Sequence, residues 1–210
     1  MTPPNNAFIF APRFNQPPDR ANPNGNDATG AFQPGAKLFQ SFCGDDNATT
    51  LLFNNGASET TIFNEILHNL QIAPYAFDTV AYFGHGTKDM MWSARIGPGF
   101  LPDFVSSLRA NCARGATIIL YACSCGAPGG IAEKIASQLS DMSVTVYSHA
   151  VDGHAFRNPV VRKFPGGTRV APPDLVQPWL EAFKDESDDL WMRFPFMTDN
   201  EIHKELSGGW

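Results

Sequence analysis

Hydrophobic residues along this chain follow two alternating rhythms. Short unbroken runs of apolar or β-branched residues predict strands, and between them apolar positions recur on one helical face. The first run, Ala7-Phe8-Ile9-Phe10, predicts a strand. Thr49–Phe53 (TTLLF) predicts the next and is closed by Asn54-Asn55-Gly56. Ile62, Phe63, Ile66, Leu67 and Leu70 then share one helical face, with Ser58 as N-cap and Pro74 just beyond the end. Phe77–Phe83 (FDTVAYF) is a strand ending in Gly84-His85-Gly86. Phe100, Leu101, Phe104, Val105 and Leu108 repeat the helical spacing, and Cys112 continues that face. Ala116–Ala122 (ATIILYA) is an almost wholly apolar strand ending in Cys123-Ser124-Cys125-Gly126. Ile131, Ala132, Ile135, Ala136 and Leu139 form a third helical face, and Val144–Tyr147 a further strand.

Between residues 48 and 150 the predicted order is therefore strand, helix, strand, helix, strand, helix, strand. Such alternation predicts an α/β fold with a mainly parallel sheet, right-handed crossovers and helices covering the sheet. Ala116–Ala122 lacks period-two alternation, as expected of a strand buried on both faces.

The two ends read differently. Residues 1–36 hold seven Pro and six Asn and are expected to be a strand followed by loop, with 15–30 a long polar loop. Residues 152–170, with DGHAFRNP and FPGG, predict a hairpin or a long loop. Residues 174–194 carry Leu175, Val176, Trp179, Leu180, Phe183, Leu190 and Trp191, and 171–210 is expected to be a C-terminal helical segment. The charges of Lys184–Asp189 read as a solvated face or turn.

Composition narrows the class. The chain has 210 residues, 43% hydrophobic and only 17% charged, which excludes a wholly disordered chain and fits a single domain over 1–210. No apolar run reaches the roughly 20 residues needed to span a bilayer, so no membrane insertion is expected. The opening MTPPNNAFIFAPRF has neither a basic start nor a long apolar stretch. That predicts a cytoplasmic protein, or one exported without a cleavable signal peptide. Fifteen basic against 21 acidic residues give a net charge of −6, which speaks against nucleic acid as a partner. Four cysteines, Cys43, Cys112, Cys123 and Cys125, are too few and too irregular for a disulfide scaffold.

The chemistry is expected at the carboxyl ends of the parallel strands. Two successive strands end there in His85 and Cys123. If these strands are neighbours they lie about 5 Å apart, and an imidazole and a thiol would share one crevice. The imidazole can take the thiol proton and stabilise the thiolate, which is the nucleophilic form. Glycines beside His85 let a substrate backbone approach, and leave the Gly86 N–H to face a developing oxyanion. A helix starting near Gly130 would aim its dipole at the same place.

The two segments VAYFGHG (80–86) and IILYACSCG (118–126) resemble the caspase-like clan of cysteine peptidases, which includes caspases, metacaspases, legumains and gingipains. The likeness spans roughly residues 48–150 in strand and helix order. It implies a caspase-hemoglobinase-like three-layer sandwich and a cysteine endopeptidase, with Cys123 as nucleophile, His85 as general base, and the Gly86 and Cys123 amides as oxyanion hole. No metal or cofactor is implied. The partners would be a peptide or protein substrate, with room for a regulatory or inhibitory protein. The resemblance also points to the substrate pocket. Arg13 there would favour an acidic residue before the cut; Asp152, with His154 nearby, would favour a basic one. The compact size suits a free-standing bacterial effector or defence protease.

Rival readings remain open on the same residues. Cys125 is the competing nucleophile. Cys123, Cys125, His85 and His149 or His154 could hold zinc, although C-x-C spacing is poor for that. A catalytically silent module binding a partner peptide, or another thiol hydrolase or transferase, would also use this crevice. Cys112 and Cys43 are expected to be buried, and His68 solvated.

Overall fold

The structure is a computed structural model that describes residues 3–13, 32–151 and 161–170. Its strands are β1 (Ala7–Pro12), β2 (Ala48–Phe53), β3 (Phe77–Phe83), β4 (Cys112–Tyr121), β5 (Thr145–His149), β6 (Val161–Phe164) and β7 (Thr168–Val170). The helices are α1 (Phe32–Cys43), α2 (Glu59–Gln71), α3 (Leu101–Asn111) and α4 (Ile131–Gln138). The strands form one seven-stranded sheet in the order β2-β1-β3-β4-β5-β6-β7. β1 to β5 are all parallel, and β6 and β7 are added antiparallel as a hairpin.

Strand alternation divides the core into two layers. Phe8, Phe10, Val80, Tyr82, Ile118 and Leu120 face α2, α3 and α4. Ala7, Ile9, Ala11, Ala81, Phe83 and Ile119 face α1, which contributes Ala36, Phe39 and Cys43. The small Ala7, Ala11 and Ala81 leave room on that face for Phe39, which packs on Phe83 at 6.0 Å between ring centroids. The protein is thus α/β, with a mostly parallel sheet flanked by helices on both faces, an arrangement compatible with a three-layer sandwich.

Between residues 48 and 150 the elements expected from periodicity are present. Ser58 caps α2 as expected, its side chain accepting from the Thr61 amide. β3 spans the expected residues, and of the 152–170 stretch, expected to be a hairpin or a long loop, residues 161–170 form a hairpin. His68 is exposed, and Cys43 is buried.

Three expectations need correction. The amino-terminal loop does not run to residue 36, because α1 begins at Phe32. Cys112 does not continue the α3 face: it opens β4, pairs with Phe77 and is buried there. α3 stops at Asn111, whose side chain turns back to the Ser107 carbonyl at 2.8 Å. The strand expected to start at Ala116 therefore starts four positions earlier, with a register irregularity between Phe77 and Thr79 that absorbs the extra residues. The loop expected over 15–30 and the helices expected over 171–210, with the Lys184–Asp189 charges, lie outside the described residues.

Candidate active site

The chain reverses direction across the sheet at β1. It steps one way to β2 and then the other way to β3, β4 and β5. Crevices in open parallel sheets form at such a reversal, here between β1 and β3, beyond the carboxyl ends of the strands. The register aligns the ends of β1, β3, β4 and β5 along that edge. Phe10 pairs with Tyr82, Phe83 with Tyr121, and Leu120 with Ser148. Counted on from these pairs, Arg13, His85, Cys123 and Val151 fall at equivalent positions just past the strand ends. Hydrogen bonds past the strands support the extension: Gly84 N to Tyr121 O at 3.2 Å, and Ser124 N to Val151 O at 3.1 Å. The row just below, Phe83, Tyr121 and His149, is an aromatic floor. Phe83 stacks on Tyr121 at 5.1 Å, and Tyr121 meets His149 edge-on at 5.0 Å.

His85 is fixed through its backbone. Its N–H donates to Ser93 Oγ at 3.0 Å, and its carbonyl accepts from the Tyr82 hydroxyl at 2.8 Å and the Trp92 amide at 2.9 Å. Tyr82 folds back over Gly84 to reach it; a Cβ on Gly84 would lie 2.3 Å from the Tyr82 oxygen. Burial raises the Tyr82 phenol above its ordinary pKa, so it stays a donor. The imidazole sits between two rings, edge-on to Phe32 at 4.7 Å and to Trp92 at 5.9 Å. Phe32 opens α1, and Trp92 belongs to the loop after β3, so both sides of the sheet hold this ring.

The two neighbouring cysteines differ sharply. Cys123 is half-buried. Ser124 then takes a left-handed φ of 55°, a conformation costing a non-glycine residue about 1–3 kcal/mol. It is held by the Ser124–Val151 bond, by Gly126 N to His149 O at 2.7 Å, and by Ala127 N to Ser124 O at 2.9 Å. Beyond this turn Cys125 is fully buried, and its thiol donates to Thr87 O at 3.3 Å and Met90 O at 3.6 Å. Burial, with a smaller contribution from Cys123, pushes its pKa up to about 12. Cys125 is thus a packing residue that ties its loop to the His85 loop.

Gly86 completes that junction. A Cβ there would lie 2.6 Å from Cys125 Sγ, 2.7 Å from Ala122 Cβ and 2.8 Å from Cys123 O. The backbone at Gly86 therefore lies against the backbone at Cys123, and only glycine permits it. α4 does not present an open amino end to this crevice, contrary to expectation. Its Ile131 amide donates to Lys88 O at 2.8 Å and its Ala132 amide to Cys125 O at 3.1 Å. The helix start braces both loops instead.

His149 ends β5 and is 5% exposed. Its Nδ1 is buried without a hydrogen-bond partner, and burial pushes its pKa down to about 4. Among the described residues no group of three or more His, Cys, Asp or Glu is placed to share a metal ion. No helix there is long and apolar enough to cross a membrane.

Of the expected site residues, the structure brings Arg13, His85, Gly86 and Cys123 to one edge of the sheet. Arg13 is exposed at the end of β1, its amide bonded to Phe53 O at 2.8 Å. Asp152 and His154 lie outside the described residues. The positioning roles of Tyr82, Trp92 and Ser93 escape a reading of the sequence. Only Tyr82 leaves a signal, an aromatic hydroxyl three residues before the histidine with a glycine between.

Comparison with protein-family models, curated proteins and solved structures finds no match to this chain.

Proposed function

We propose that this protein is a caspase-like cysteine endopeptidase acting through Cys123 and His85. One observation supports the reading: β3 and β4 pair in parallel to their ends at Phe83 and Tyr121, and Gly86, beside His85, packs against the Cys123 backbone just beyond them. Cys123 is the half-buried cysteine, while its neighbour Cys125 is sealed in the core. His85 takes the thiol proton as Cys123 Sγ attacks the scissile carbonyl carbon. The Gly86 and Cys123 N–H groups receive the oxyanion. Collapse breaks the C–N bond, His85 gives its proton to the leaving amine, and a thioester remains. Water, deprotonated by His85, then attacks the thioester; the carboxylate product leaves and the thiol regains its proton. Arg13, exposed just past the end of β1, supports an acidic residue before the cut.

The test is an unbiased peptide-library digestion. Wild type should cut a defined subset, and Cys123→Ala should cut none. His85→Ala should also slow iodoacetamide labelling of Cys123. A library left intact by wild type, with all thiols labelled equally slowly, would instead mark a silent peptide-binding module.

A further inference from the structure

The loop after His85 folds into a compact unit, with bridges between Thr87 and Met90 and between Met91 and Ile96. Met91, Ala94 and Ile96 anchor it in the core. Trp92 and Arg95, between these anchors, are not absorbed by that packing. Trp92 is 38% exposed, and its ring meets the His85 imidazole. The Arg95 guanidinium lies over the Trp92 ring, 4.7 Å from its centroid. Arg95 holds a left-handed φ of 57°, kept there by its amide bond to Trp92 O at 3.1 Å. A non-glycine residue stays in that region only when its surroundings hold it.

Among the described residues the ion pairs are Arg109–Asp141 and Lys134–Asp89, so Arg95 has no carboxylate partner there. A guanidinium stacked on an indole keeps its in-plane N–H donors directed outward, in the fork that matches a carboxylate. The two ring distances limit how far Arg95 lies from His85. An extended peptide, at about 3.3 Å per residue, covers that span in roughly three residues.

We propose that Trp92 and Arg95 form a subsite for a peptide carboxylate carried about three residues after the cut. The assignment rests on the peptidase reading above. His85 protonates the leaving amine, so the leaving segment passes His85 and the aromatic ring beside it. Arg95 is the cation waiting there. An Asp or Glu side chain and a free C-terminus offer the same chemistry.

The experiment uses Cys123→Ala protein and two pools of octapeptides, one with free and one with amidated C-termini. Acidic peptides should be enriched in the bound fraction, and individual ones should bind roughly tenfold tighter than their Asn or Gln counterparts, the scale of one charge-assisted pair. Arg95→Gln should shrink that difference to the share owed to Arg13, and Arg95→Lys should keep more of it. Arg114→Gln, at the opposite end of β4, should leave it intact. Loss of the preference on amidation alone identifies the C-terminus as the source. An unchanged preference in Arg95→Gln overturns the subsite. So do wild-type cuts with acidic residues only before the scissile bond. If wild type cuts nothing, the peptidase reading falls, and the Arg95 binding comparison still decides the carboxylate site.

Discussion

Gly86 and Cys125 are in direct contact: a Cβ on Gly86 would fall 2.6 Å from the Cys125 sulfur. The loops after β3 and β4 thus share one packed junction, with no space for a methyl group. Gly86→Ala should destabilise the fold by about 1–3 kcal/mol, as overpacking does. Urea denaturation reads this as a lower midpoint. Cys125→Ala in the same chain should recover part of the loss, since the nearest clashing atom is gone. A Gly86→Ala midpoint equal to wild type would mean the two loops are not in contact.

The four thiols should react very unequally. Burial pushes Cys43, Cys112 and Cys125 each up to about 12. At pH 8 such a thiol is ionised to about one part in ten thousand. Native alkylation should therefore concentrate on Cys123, and the other three should label only after unfolding. Peptide mapping by mass spectrometry before and after denaturation checks this. Equal native labelling of Cys125 would contradict its inward-facing bonds.

His149 should make stability depend on pH. Its folded pKa, about 4, lies below the ordinary 6.5 because burial disfavours the charged ring. Below pH 6.5 the unfolded chain binds a proton that the folded one does not. Stability from this group is thus complete above pH 6.5, falls as pH drops towards 4, and then levels off. The loss over that window is on the order of 3 kcal/mol. His149→Gln should flatten the difference between urea midpoints at pH 7.5 and pH 5. A slope identical in wild type and variant would remove His149 as its source.

Tyr82→Phe removes one hydroxyl from a fully buried ring. That hydroxyl donates to the His85 carbonyl at 2.8 Å and also interacts with Ser93 and Ala94. The expected cost is about 1–2 kcal/mol, from an acceptor left buried with one partner fewer. The pH profile of Cys123 alkylation should shift as well, because the His85 backbone loses a constraint. A variant that loses stability with an unshifted profile would confine Tyr82 to the core.

The sequence made β3 and the three helices after β2 legible because their apolar faces are regular and their ends carry stop signals such as Ser58 and Pro74. α1 was hidden by Pro34 and Gly35. Both read as loop residues, yet the first turn of a helix has no intrahelical use for its amides and tolerates proline there. The face of Phe32, Ala36, Phe39 and Cys43 was present all along at helical spacing. His85 and Cys123 could be placed from strand ends alone. Their division of labour with Cys125 could not, because it depends on one left-handed residue, Ser124, that turns the chain between two identical side chains. The Ser93 contact to His85 spans eight residues of loop and has no periodic signature.

β1 lies between β2 and β3, although it precedes both in the chain. A ribosome delivers this sheet out of spatial order. The first strand to emerge can pair on one edge once residue 53 is out, and its other edge stays open until residues 77–83 follow. The apolar centre of the molecule is therefore the part of the nascent chain that waits longest for its second neighbour, and the part most in need of shelter during synthesis.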